Sequence, residues 1–141
     1  MNKKILIFGG TGAIGFSIAK KIIKEGYTPI LISRNEEELV NKSKEINCEY
    51  EICDVLEQDQ IDRISNKHAD TINGLAYCVG SINLKPLKIT KDTDFIESFK
   101  INTLGAINVI KSNTESLAKN YGSILLFSKI GRAHVWTPVT L

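Results

Sequence analysis

The sequence has no long apolar run. Nothing in it approaches the roughly 20 consecutive apolar residues a membrane-spanning helix needs. The opening Met1-Asn2-Lys3-Lys4 leads only into the short run Ile5 to Phe8. A secretory leader needs a longer apolar core and a small-residue cleavage site. The expected setting is therefore cytoplasmic, with no membrane partner. Cysteine is scarce. Cys48, Cys53 and Cys78 are odd in number and form no Cys-x-x-Cys, which argues against a disulfide framework or zinc site and leaves reduced, partly buried thiols. His68 and His134 stand far apart without ligand-spaced partners, so no metal is expected. A charge of one sign is missing as well. The formal net charge is +2, which calls for neither nucleic acid nor an acidic membrane surface. The 141 residues, 43% hydrophobic and 24% charged, suffice for one domain and are too few for two.

What is present is an alternation of strand and helix signals. Lys4–Phe8 (KILIF) reads as a buried parallel strand. Glycines follow, then an apolar helical stripe at Ile14, Ile18 and Ile22 that Gly26 ends. Pro29–Ser33 (PILIS) is a second strand. Asn35, with Glu38 three residues on, resembles a helix cap and its capping-box partner. Tyr50–Cys53 reads as a third strand, and Gln58–Asn66 as a polar helix with Ile61 and Ile64 inward. Gly74–Val79 (GLAYCV) is a fourth strand, followed by a loop punctuated by Pro86. Asp92 is the expected cap of a helix starting near Thr93. A longer helix is expected from about Asn102 to Lys119, with Leu104, Ile107, Ile110 and Leu117 on its apolar side. Gly122 ends it, and Ser123–Phe127 (SILLF) is a fifth strand. This order predicts an α/β fold, a doubly wound parallel sheet covered on both faces.

The segment Gly9–Gly15 reads GGTGAIG. It holds G-x-G-x-x-G at Gly10, Gly12 and Gly15, and a second spacing at Gly9, Gly12 and Gly15. Such a match is weak alone, but here it follows a strand and opens a helix. Glycines let the backbone turn tightly and approach a pyrophosphate, and the helix N-terminus offers free N–H groups and the positive end of its dipole. Thr11 and Ile14 fall within the same loop. NAD sites usually place Asp or Glu at the end of the second strand to hold the ribose 2′-hydroxyl. This chain has Ser33 and Arg34 there. With no carboxylate to repel a 2′-phosphate and a guanidinium to bind one, NADP is expected over NAD.

With these features in place, residues Lys3 to Ser128 resemble the short-chain dehydrogenase/reductase family, classical branch, a Rossmann fold. The family loop T-G-x-x-x-G-x-G appears as FGGTGAIG, with Phe8 for Thr and Ala13 for the middle Gly. Its Asp-Val after the third strand appears as Asp54-Val55, which the resemblance implies hold the adenine. Its N-N-A-G appears as Tyr77-Cys78-Val79-Gly80, where only Gly80 survives to approach the nicotinamide ribose. Its N-x-x-G appears as Asn102-Thr103-Leu104-Gly105. The resemblance implies that Asn102 is the Asn of an Asn-Ser-Tyr-Lys catalytic set, holding a water in the proton relay. It further implies hydride transfer between nicotinamide and a small-molecule carbonyl or alcohol substrate, with the Tyr moving the proton. A homo-oligomer, dimer or tetramer, is implied as well.

The pattern then breaks. Lys129 stands where the family Ser belongs, and no Tyr occurs after Tyr121, so Tyr-x-x-x-Lys is missing. The ending IGRAHVWTPVTL has no helical stripe, and Pro138 argues against a helix. Residues Ile130–Thr140 back-translate to a sequence similar to a widely used short-read sequencing adapter, with TGG at Trp136 where the adapter has TGA. The expected organisation is an incomplete NAD(P)-binding Rossmann domain over 1–128, truncated after the fifth strand, and a non-native tail over 129–141. The chain as written is then an inactive fragment of an oxidoreductase. Two other readings remain open: a non-catalytic NADP-binding or redox-sensing module, and a sugar-nucleotide epimerase or dehydratase sharing GGTGAIG. Re-sequencing the gene through and beyond the codon for Lys129 separates them. The expected result is a Ser codon there with Tyr-x-x-x-Lys downstream; the same IGRAHVWTPVTL codons in the genome would make the non-catalytic module the leading reading.

Overall fold

The computed structural model describes residues 3–128, so the readings at Lys129 and in the tail lie outside the described residues. Five strands, β1 (Lys4–Phe8), β2 (Thr28–Ser33), β3 (Glu49–Ile52), β4 (Ile72–Tyr77) and β5 (Ser123–Leu126), form one sheet in the order β3-β2-β1-β4-β5. Every pairing is parallel. The helices are α1 (Ala13–Lys24), α2 (Glu36–Ile46), α3 (Gln58–His68), α4 (Asp92–Phe99) and α5 (Gly105–Lys119). This is the doubly wound α/β sheet of a Rossmann fold, and its strand order reverses between β1 and β4.

The pleat explains the two layers. Leu6 and Phe8 of β1 face the side where Ile61 and Ile64 of α3 and Val109 and Leu117 of α5 pack. Ile7, between them, faces Phe16 and Ala19 of α1 and Leu39 of α2. Leu6, Ile7 and Phe8 are wholly buried, as a central parallel strand with helices on both faces must be. Asn35 caps α2 as expected, its Oδ1 accepting the Glu38 N–H at 3.2 Å. Among the described residues, no helix is long and apolar enough to cross a membrane.

Three local expectations are corrected. In α1, Ile18 and Ile22 pack against the core beside buried Gly15, Phe16 and Ala19, but Ile14 is exposed beside the strand ends. Asp92 opens α4 without capping it. Instead the Asp94 carboxylate accepts the Lys91 N–H at 2.9 Å, since a side chain at the third helical position reaches back to the cap. The long helix does not begin at Asn102. A π-helical turn, Lys100–Leu104, joins α4 to α5, and α5 buries Ala106, Val109, Asn113 and Leu117, leaving Leu104 and Ile107 exposed.

One buried charge ties the edge of the sheet to α3. Glu51 is a buried residue of β3. Its carboxylate accepts hydrogen bonds from Lys67 Nζ at 2.5 Å and Arg63 Nη1 at 3.2 Å, and meets His68 Nε2 at 3.0 Å. Burial pushes its pKa up, but the bonds from Lys67, His68 and Arg63 outweigh that and hold it below the ordinary glutamate range. A depressed carboxylate pKa contributes stability above the unfolded-state value, and that stability is lost as pH falls through the folded-state value. Glu51→Ala should cost on the order of 3 kcal/mol in urea unfolding at neutral pH, leaving buried His68 without its partner. The variant should also lose less stability than the parent chain between neutral and acid pH.

Candidate dinucleotide site

The site is built where the strands end. After β1, the Gly9 and Gly10 N–H groups both donate to Ile32 O, at 2.8 and 3.1 Å, tying the glycine loop to β2. After β3, the Cys53 N–H donates to Ser33 O at 2.9 Å, and after β4 the Cys78 N–H donates to Phe8 O at 2.8 Å. Backbone bonds therefore hold the carboxyl ends of four strands in one row. In open α/β sheets, ligands bind beyond this edge, at the point where strand order reverses.

Each glycine of the loop answers a different need. Gly9 has φ +78°, and a Cβ there would lie 2.7 Å from the Cys78 carbonyl carbon. A Cβ on Gly15 would collide with the Gly9 carbonyl oxygen, so α1 can press against the loop only without one. At Gly12 the nearest atom to a Cβ, Gly9 O, is 3.4 Å away. Gly12 is the cap of α1 and makes no side-chain capping bond; the helix has no acidic residue in its first turn. Phe16 N–H is the first to bond back into the helix, to Gly12 O at 2.9 Å. The N–H groups ahead of it, on Ala13, Ile14 and Gly15, have no acceptor within the helix. A bare, uncapped helix start with a positive dipole end fits a pyrophosphate.

A cavity of about 250 Å³ opens beside this loop. It brings together Gly9, Gly12, Ser33, Arg34, Asp54, Val55 and Gly80, all singled out in the sequence. Thr11 lies at its margin, its hydroxyl donating to Ser33 Oγ at 3.1 Å. Asp54 divides its oxygens. Oδ1 accepts the Leu56 N–H at 2.9 Å, a turn contact, and Oδ2 stands 3.7 Å from Arg34 Nη1. The Arg34 side chain is 71% exposed and so is free to move. A second cleft, of about 770 Å³, shares Cys78 to Ser81 with the first and extends between Ile14, Asn102 and the end of β5. Asn102 commits its side chain to the loop after β4. Its Oδ1 accepts the Ser81 N–H at 2.8 Å, and its Nδ2 donates to Ser81 O at 2.9 Å and to Ser98 Oγ at 3.1 Å.

Sequence reading missed Phe8, Ile32, Cys53, Cys78, Val79, Ser81 and Ile101 on the cavity wall. All except Ile101 lie at a strand end or within four residues after one, so the rule for parallel sheets was the usable signal. Burial pushes the Cys53 and Cys78 thiols up to about 11, so both are protonated and apolar in character near neutral pH.

The comparisons agree with this geometry. The profile of the short chain dehydrogenase family matches residues 3–136, running past Ser128. The chain belongs to the short-chain dehydrogenase family. It is 28% identical over 131 residues to the 3-oxoacyl-[acyl-carrier-protein] reductase of Mus musculus, covering 89% of this chain and 55% of that protein. Among solved structures it is similar to an actinorhodin polyketide ketoreductase with NADPH, with TM-score 0.80, 22% identity, and 87% and 51% coverage. It is also similar to a gluconate 5-dehydrogenase from Burkholderia cenocepacia in complex with NADP and tartrate, with TM-score 0.78, 21% identity, and 88% and 52% coverage. At those identities the two structures speak for the fold. The chain spans about half the length of the curated relatives it matches.

The glycines separate folding from binding. Gly9→Ala forces an alanine into positive φ against the Cys78 backbone and should lower the melting temperature by several degrees. Gly12→Ala has room and ordinary φ, so it should leave the melting temperature near the parent value while placing a methyl on the cavity wall. NADPH titration by fluorescence should then show much weaker binding for Gly12→Ala; unchanged binding would mean that the loop is only a turn.

Proposed function

We propose that the chain is the cofactor-binding half of an NADP-dependent short-chain dehydrogenase/reductase, acting on a small-molecule carbonyl or alcohol. The observation that carries the cofactor choice is Arg34, exposed at the end of β2, where a carboxylate would otherwise claim a ribose hydroxyl. The similar ketoreductase with NADPH and gluconate 5-dehydrogenase in complex with NADP are consistent with a nicotinamide cofactor on this fold.

On this reading the chain's own groups have distinct tasks. The N–H groups at the start of α1 bind the pyrophosphate, and Gly12 lets it come close. Asp54 and Val55 hold the adenine end of the smaller cavity, and Arg34 leaves Asp54 to pair with a 2′-phosphate. Gly80 borders the larger cleft, where the nicotinamide end and the substrate fall. Asn102 fixes the wall of that cleft through Ser81 and supports the proton relay. The bound nicotinamide supplies the hydride chemistry. Positioning and water exclusion fall to the protein.

The sequence holds neither a Ser at 129 nor a Tyr-x-x-x-Lys after Tyr121. The chain as written should therefore bind cofactor without turning over a carbonyl substrate. That same observation favours the second reading, a non-catalytic NADP-binding or redox-sensing module.

Arg34→Ala tests the cofactor choice. A charge-assisted hydrogen bond contributes about 1.5–3 kcal/mol, so NADPH binding should weaken roughly 10- to 100-fold while NADH binding barely changes. Calorimetric titration of both cofactors against both chains measures this. Tighter NADH than NADPH binding by the parent chain would overturn the NADP assignment.

A further inference from the structure

Tyr77 ends β4 as a residue only 4% exposed, its ring stacked on Phe8 with centroids 6.5 Å apart. Its phenol donates a 2.6 Å hydrogen bond to Ile101 O, within the turn Lys100–Leu104. In that turn the Gly105 N–H bonds Lys100 O, five residues back. In an ordinary α-helix the same N–H would bond Ile101 O, four residues back. The carbonyl that the narrower register would engage is therefore the one the phenol holds. Gly105 makes room for this, since a Cβ there would lie 2.5 Å from the Tyr77 oxygen and 3.2 Å from Val55 Cγ2. Burial, with the Asp54 charge adding to it, pushes the Tyr77 phenol up to about 12. It stays protonated, and so stays a donor, across the working pH range.

The next residue after Ile101 is Asn102, whose side chain grips Ser81 by both backbone groups. Changing the helical register by one residue rotates everything before Gly105 by about 100° around the helix axis. That rotation would carry Asn102 away from Ser81. We propose that Tyr77 is a positioning residue whose hydrogen bond to Ile101 selects the wide turn and thereby sets Asn102 against Ser81. The register claim stands on this contact alone; its importance for the reacting end of the cleft rests on the proposed oxidoreductase function. The signal lies at a position where the chain departs from its family, since Tyr77 replaces the first Asn of N-N-A-G.

The test is NMR on the full chain, isotopically labelled, with couplings read across backbone hydrogen bonds. The parent chain should show the residue-105 amide coupled to the Lys100 carbonyl; its absence would overturn the proposal. Tyr77→Phe keeps the ring and removes the donor, and should move that coupling to the Ile101 carbonyl while shifting the Asn102 side-chain amide signals. A variant with a lower melting temperature but the Lys100 coupling intact would show that Tyr77 only packs, and would sink the idea. Gly105→Ala approaches from the other side by pushing the phenol away, and decides the matter if Tyr77→Phe fails to fold. It should produce the same change of register, and adding it to Tyr77→Phe should cost little more. NADPH titration of Tyr77→Phe should weaken about fivefold, because Ile101 and Ser81 line the smaller cavity. If the parent chain binds no NADPH, the proposed function fails, while the coupling still decides the role of Tyr77.

Discussion

A parallel sheet covered by helices on both faces leaves only the ends of its strands open to a ligand. Everything at this candidate site depends on that constraint. β1 is buried from both sides, so the chain must leave it without obstructing its neighbours. It does so through Gly9, whose positive φ and missing Cβ let the backbone pass against Cys78. The same turn brings the uncapped start of α1 over the carboxyl edge of the sheet. The shape of the candidate site is thus a consequence of burial: the helix that covers one face is the helix whose uncapped start, at Gly12, borders the cavity.

Much of this was legible because the relevant signals are local. Runs such as KILIF and PILIS are short, rich in β-branched residues and bounded by glycine or polar residues, which favours buried strands, and a glycine loop between strand and helix has few physical readings. Ser33, Arg34, Asp54, Val55 and Gly80 each lie at or just after a strand end, so parallel pairing necessarily collects them at one edge. The strand limits were less legible. β4 was expected at Gly74–Val79 and runs Ile72–Tyr77, because pairing of Ile72 with Lys4 extends its start and Cys78 onward leaves the sheet to line the cavities.

The inward face at the start of α5 differs from the expected one for a physical reason. Of the expected side, Leu117 is buried and Ile110 half-buried, but Leu104 and Ile107 are exposed, and the first turns bury Gly105, Ala106, Val109 and Asn113 instead. At Gly105 a side chain would meet the Tyr77 oxygen at 2.5 Å, so the helix can approach β4 there, with the phenol bonded to Ile101, only without a Cβ. No period in the sequence reports such a contact, which joins residues 24 apart across a layer. The wide turn between α4 and α5 also adds a residue to the helical count, so a constant period drawn through it assigns the wrong face on one side or the other.

The pairing of Arg34 with Asp54 looks at first like competition with an anionic ligand. Its geometry argues otherwise. At 3.7 Å, with the arginine largely in water, the pair contributes little to stability and little holds it together. Asp54 is also occupied by the Leu56 N–H through its other oxygen, which fixes the carboxylate and leaves the guanidinium as the mobile partner. A phosphate doubly charged and able to accept two parallel N–H bonds holds the same guanidinium more strongly than a single exposed carboxylate contact does. The carboxylate that would oppose a 2′-phosphate if it stood at the end of β2 instead stands one strand over, just after β3, in a contact with Arg34 loose enough for the guanidinium to leave.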